Sequence, residues 1–120
     1  MLATVSKIVK LVPANVKRKL PKKISIIKVD ERTARELNHR YRRKNKPANV
    51  LSFRYSSEYG EVVLCPAVIQ REAKRQGNSY SYQKRWMTVH GLLHLAGVHH
   101  EKSAKARKRF EEIENRILKE

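Results

Sequence analysis

The apolar positions of this chain recur with two periods, and the places where one period gives way to the other mark its elements. Leu2, Val5, Ile8, Val9 and Val12 fall on one side of a helical wheel and Pro13 stops the run, which predicts a helix over residues 2–12. The segment from Ala14 to Lys23 is strongly basic, has room for a helical turn around Val16 to Leu20, and carries no pattern that settles its conformation. Ile24 to Val29 is aliphatic and β-branched, as in a buried strand. Asp30, or less strongly Thr33, then offers an N-cap to a helix with Ala34, Leu37, Asn38 and Tyr41 at helical spacing. A turn dense in cations, Tyr41 to Pro47, follows it. Val50 to Tyr55 and Glu61 to Cys65 read as two strands, and the polar turn Ser56 to Gly60 is short enough to make them an antiparallel hairpin.

Pro66 suits the first turn of a helix, where its missing N–H is no loss, and Ala67 to Gln76 continues it until Gly77. Ser79 or Ser81 caps the next helix, which runs through Trp86 to Ala96. Its apolar residues Trp86, Met87, Val89, Leu92, Leu93 and Leu95 almost encircle it, so it belongs at the buried centre. Ser103 caps a last helix with Ala106, Phe110, Ile113 and Ile117 in one stripe, while Lys105, Lys108, Arg109 and Lys119 face water.

The central helix carries the candidate chemistry. His90 and His94 are four residues apart, and a helix turning about 100° per residue puts both on one face with ring nitrogens able to converge. Gly97 marks the helix end, because glycine takes the left-handed conformation cheaply, and a reversal there can swing His100 back toward the pair. Three neutral imidazoles around a divalent ion leave a fourth position for water, the layout of a catalytic zinc site. The expected ligands are therefore His90, His94 and His100 on one Zn2+ ion, with the adjacent His99 as a competitor for the third position. The spacing H-x-x-x-H-x-x-G-x-x-H is shared with metzincin peptidases, whose general-base glutamate directly follows the first histidine. Here that place holds Gly91, and no methionine follows Met87 to form a Met-turn, so both departures argue against a peptidase. The fold class expected is α+β, a small mixed sheet of about three or four strands with helices packed around the metal-binding helix.

Composition narrows the partners. At 120 residues and 14.1 kDa the chain reads as one domain, residues 1–120. Twenty-eight Lys and Arg against 11 Asp and Glu give a formal net charge of +17, which favours phosphate backbones as partners. The apolar stretch at the N-terminus is too short to cross a bilayer, is interrupted by Lys7 and Lys10 and lacks a signal-peptide cleavage site, and Cys65 stands alone. These features lead to the expectation of a cytoplasmic protein with no membrane partner.

Three blocks, in order, resemble the YbeY family, bacterial endoribonucleases of rRNA maturation. Leu37, Asn38, Tyr41 and Arg42 match its L-N-x-x-Y-R motif and lead into Pro47 to Phe53, P-A-N-V-L-S-F. Gly60, Glu61 and Cys65 follow, with the pair Glu72 and Ala73, and then His90 to His100. Ala48 stands where the family usually has threonine, and His99 where it has an aspartate able to orient a ligand. The family also usually opens with a strand before its first helix, whereas this chain starts in or near that helix.

The resemblance implies a zinc-dependent, single-strand-specific endoribonuclease acting in 16S rRNA 3′-end maturation and ribosome quality control. Its implied partners are rRNA, the small ribosomal subunit, one small-subunit ribosomal protein and the Era GTPase. Arg42, at the family's arginine position, is the candidate for binding the scissile phosphate, since a guanidinium matches two phosphate oxygens at once. Glu61 or Glu72 is a candidate base. Two other classes remain: a ribosome-associated RNA-binding protein with a mainly structural zinc, and a metzincin-like hydrolase acting on another substrate.

Overall fold

In the computed structural model, which describes residues 3–100 and 102–119, helices and strands follow one another as the sequence pattern predicts. They are α1 (Ala3–Leu11), α2 (Ala14–Lys17), β1 (Lys23–Lys28), α3 (Glu31–Arg42), β2 (Val50–Arg54), β3 (Tyr59–Leu64), α4 (Pro66–Gln76), α5 (Tyr80–Leu95) and α6 (Ala104–Leu118). Leu2, expected at the start of the first helix, lies outside the described residues. The caps decide most of the boundaries. The Asp30 carboxylate accepts from the Thr33 N–H at 2.8 Å, which holds its pKa below the usual carboxylate value. Ser79, and not Ser81, accepts from the Tyr82 N–H, and Ser103 accepts from the Ala106 N–H. The basic segment after Pro13 forms the single turn α2, which buries Val16.

The sheet has the order β1-β3-β2 among the described residues, with β3 parallel to β1 and antiparallel to β2. β3 begins two residues earlier than the turn pattern suggests. The Tyr59 carbonyl accepts from the N–H groups of both Tyr55 and Ser56, which closes the hairpin tightly and draws Tyr59 and Gly60 into the ladder. The register pairs Ile24 with Gly60, Ile26 with Val62, and Ser52 with Val62.

Alternation along the strands sends side chains to two different helical layers. Ile24, Ile26, Val50, Val62 and Leu64 join one apolar cluster with Val5 and Ile8 of α1, Leu92 and Leu93 of α5, and Phe110 and Ile117 of α6. On the opposite face, Ile27, Leu51, Phe53 and Val63 pack with Leu37 of α3. α5 is the buried centre that its nearly continuous apolar surface requires, with Val89, Leu92, Leu93 and Leu95 all at 1% exposure or less.

α5 meets the sheet at Gly91. A Cβ at this position would lie 2.6 Å from Val62 Cγ1 and 3.1 Å from both Ser52 Oγ and Val50 Cγ2. The Ser52 hydroxyl donates to the Gly91 carbonyl at 2.7 Å, so the helix backbone rests directly on the strands. Gly91→Ala would gain about 1 kcal/mol of helix propensity but overpack the contact by about 1–3 kcal/mol. We expect a net loss of stability in denaturant unfolding, partly recovered when Val62→Ala is combined with it. A Gly91→Ala protein more stable than the parent would contradict the contact.

Candidate metal centre

The helix ends where the pattern places it. Gly97 takes φ +80°, its N–H bonds the His94 carbonyl, and the Val98 N–H bonds the Leu93 carbonyl, an arrangement that closes a helix and turns the chain back. The reversal returns His100 to the histidine pair on α5. One ring nitrogen from each of His90, His94 and His100 lies within 4.8 Å of the others, and the Nε2 atoms of His90 and His94 are 3.3 Å apart. Zn–N bonds of about 2.0–2.1 Å in a tetrahedral site require nitrogens about 3.4 Å apart, so the pair is spaced for one ion. The ring centroids of the three are 4.8, 5.1 and 5.2 Å apart. His99 is exposed, with its ring 6.2 Å from that of His94, and it is outside the converging set.

α6 builds the other half of the centre. The Phe110 ring, 1% exposed, lies 4.9, 5.3 and 5.0 Å from the rings of His90, His94 and His100, forming one apolar wall for all three. One turn further on, the buried Glu114 carboxylate accepts from His90 Nδ1–H at 2.9 Å and from Trp86 Nε1–H at 3.2 Å. With the proton held at Nδ1, the His90 Nε2 lone pair is directed at the cluster, the usual arrangement behind a metal-ligating imidazole.

The cluster opens into a cleft of about 600 Å³ lined by Arg42 and Tyr41 from α3, Ser52 and Arg54 from β2, and all four histidines from His90 to His100. α3 delivers Arg42 through its C-cap. Arg43 adopts φ 56°, the Lys44 N–H bonds the Asn38 carbonyl, and the buried Asn38 amide donates to the Lys46 carbonyl at 2.8 Å. The Tyr41 ring rests edge-on against Phe53 at 5.0 Å. The Arg54 guanidinium donates to the Lys19 and Leu95 carbonyls, tying β2 to the end of α5.

Among the described residues, no carboxylate lines this cleft. Glu61 projects from the sheet face opposite α5, accepting from the hydroxyls of Tyr55 at 2.8 Å and Tyr59 at 2.7 Å. The bond to Glu61 raises the Tyr55 pKa. Glu72 accepts from the Asn49 amide at 2.9 Å and braces the start of β2. The structure thus brings Arg42 and the three predicted ligands together and leaves Glu61 and Glu72 outside. Glu114, Arg54 and Phe110, which the structure also places at the cluster or its cleft, were not singled out for it by the sequence pattern. Glu114 had a readable signal, an acid set at helical spacing inside the apolar stripe of Phe110, Ile113 and Ile117.

Similarity to known proteins is extensive. The sequence profile of Endoribonuclease YbeY matches residues 1–120. Proteins named Endoribonuclease YbeY from Aquifex aeolicus and Pseudoalteromonas translucida are 38% and 39% identical over 101 and 104 residues, covering 79% and 81% of this chain. The homologue of the same name from Buchnera aphidicola is 40% identical over 115 residues, or 85% of this chain. The chain spans about two thirds of these relatives, 67%, 68% and 68% of their lengths. A solution structure of a Thermotoga maritima protein superposes with a TM-score of 0.63 at 27% identity, covering 97% of this chain and 79% of that one. With a profile matched from end to end and relatives sharing about two residues in five over most of its length, this chain belongs to the YbeY endoribonuclease family.

Proposed function

We propose that the chain is a zinc-dependent endoribonuclease that cuts single-stranded RNA, acting in 16S rRNA 3′-end maturation and ribosome quality control. The observation that carries this reading is the convergence of His90, His94 and His100 at a cleft that Arg42 also lines. The net charge of +17 supports an RNA substrate, because lysine and arginine side chains displace the counterions of a phosphate backbone. Family membership supports the assignment to rRNA and the small ribosomal subunit, with one of its ribosomal proteins and the Era GTPase as further partners. We infer that residues 1–120 act as one cytoplasmic domain; no helix among the described residues is long and apolar enough to cross a membrane.

In this reading His90, His94 and His100 hold the ion, which when bound supplies a lowered water pKa and polarises a phosphate oxygen. Arg42 binds the scissile phosphate and the charge that develops on it. Glu114 keeps His90 in the tautomer that presents Nε2, and Phe110 excludes water from one side of the rings. Glu61, held between two tyrosines on the far face of the sheet, has a structural part. Peptide hydrolysis is disfavoured because a side chain at position 91 would point into Val62 and not into the cleft.

His94→Ala should lose bound metal, read by elemental analysis, and with it cleavage of a small-subunit rRNA precursor. A metal-free His94→Ala protein that cuts RNA at the parent rate would remove the ion from the mechanism, whereas a variant that keeps its zinc, no longer cuts and still supports ribosome maturation would favour a structural zinc. Arg42→Ala should keep its metal while slowing cleavage by about 10²–10³-fold; an unchanged rate takes Arg42 out of the site. Glu114→Gln should remain folded and weaken zinc affinity about 10–100-fold in a chelator competition. Equal affinity would mean that the carboxylate does not act on His90.

A further inference from the structure

A second cavity, of about 450 Å³, adjoins the metal centre on the side of α6 and has no part in the reading above. It shares His90, His100 and Asn49 with the main cleft, so the two spaces meet at the histidine cluster. Its apolar lining comes from Trp86, with the buried Met87 and Phe110 behind it. The Trp86 ring is held in orientation by its bond to Glu114.

The charges of the two spaces differ in sign. The main cleft presents Arg42 and Arg54 and, among the described residues, no carboxylate, whereas Glu111 and Glu114 line the second cavity with Arg107 beside them. A phosphate is attracted to the first space and repelled from the second. A nucleobase has the opposite preference, since it brings π-faces suited to an aromatic and thioether wall and N–H groups that a carboxylate accepts. The volume lies within the range of small-ligand sites, about 300–1,000 Å³.

We propose that this second cavity receives a nucleobase of the bound strand, adjacent to the phosphate that lies at the histidine cluster. The inference rests on the proposal that single-stranded RNA is the substrate, and it adds a base-binding subsite in which the partly exposed Trp86, backed by Met87 and Phe110, offers the stacking surface and Glu111 accepts from the base edge. A base inside a helical stem could not enter the cavity without leaving its stack, so the subsite would select unpaired nucleotides.

Trp86 is the chain's single tryptophan and therefore a built-in reporter. The zinc-loaded full chain would be titrated with a short 2′-O-methyl oligoribonucleotide and with an abasic strand of the same length and phosphate count. Strand binding would be followed by anisotropy of a terminal label and cavity occupancy by Trp86 emission. Both strands should bind, because the phosphates dominate affinity, but only the base-bearing strand should shift or quench Trp86, along the same isotherm as the anisotropy. Glu111→Leu, which removes a negative charge and so favours the phosphates of both strands, should lower the preference for the base-bearing over the abasic strand about fivefold and leave the metal content unchanged. Binding without a Trp86 response, or equal responses to the two strands, would overturn the subsite while leaving the RNA reading intact. If neither strand binds, the RNA reading fails and the subsite fails with it.

Discussion

The seating of α5 on the sheet is the constraint from which the site follows. Because position 91 carries no side chain, the helix approaches until its backbone accepts a hydrogen bond from Ser52, with Val62 and Val50 filling the space beneath. This contact sets the height and rotation of the helix. His90, one residue earlier, is then turned along the sheet toward α6, and His94 follows one turn later on the same face. Gly97 completes the geometry with a left-handed turn that a residue bearing a Cβ would adopt only at a cost. Two glycines with different functions, close approach at one and reversal at the other, thus fix where three imidazoles meet.

α6 closes the centre from the opposite side. Its buried stripe is not purely apolar, for Glu114 sits among Phe110, Ile113 and Ile117 at 5% exposure. A carboxylate at that depth is tolerable because two N–H groups, from His90 and Trp86, reach the same oxygen. His99 is exposed beside His100, and the buried carboxylate that meets the histidine cluster comes from another helix, where Glu114 bonds His90.

The surface charge follows from how the few acids are used. Glu31 pairs with Arg71, Glu36 with Arg32 and Glu58 with Lys22, while Glu61, Glu72 and Glu114 are taken up by tyrosine, asparagine and histidine partners. The exposed pairs contribute little to stability in water. Their consequence is electrostatic: 28 Lys and Arg outnumber 11 Asp and Glu, and Lys84 is depressed in pKa by burial and by the proximity of Lys28. A polyanion would relieve such a surface, which agrees with an RNA partner.

Most of the secondary structure was readable along the chain, because caps, glycine stops and periodicity act over a few residues. Asp30, Ser103, Gly77 and Gly97 each act where local chemistry puts them. The convergence of His90, His94 and His100 was readable for the same reason, since one helix and one turn bring them together. What depended on contacts distant in sequence was not. The start of β3 at Tyr59 followed from cross-strand bonds, the exclusion of Glu61 from the cleft followed from which sheet face α5 covers, and the partnership of Glu114 with His90 spans two helices. The sequence by itself determined the elements and the three imidazoles, through interactions between near neighbours. Only the tertiary structure decided which face of the sheet they look across, which arginines line the same cleft and which carboxylate bonds His90, because those are choices made by packing.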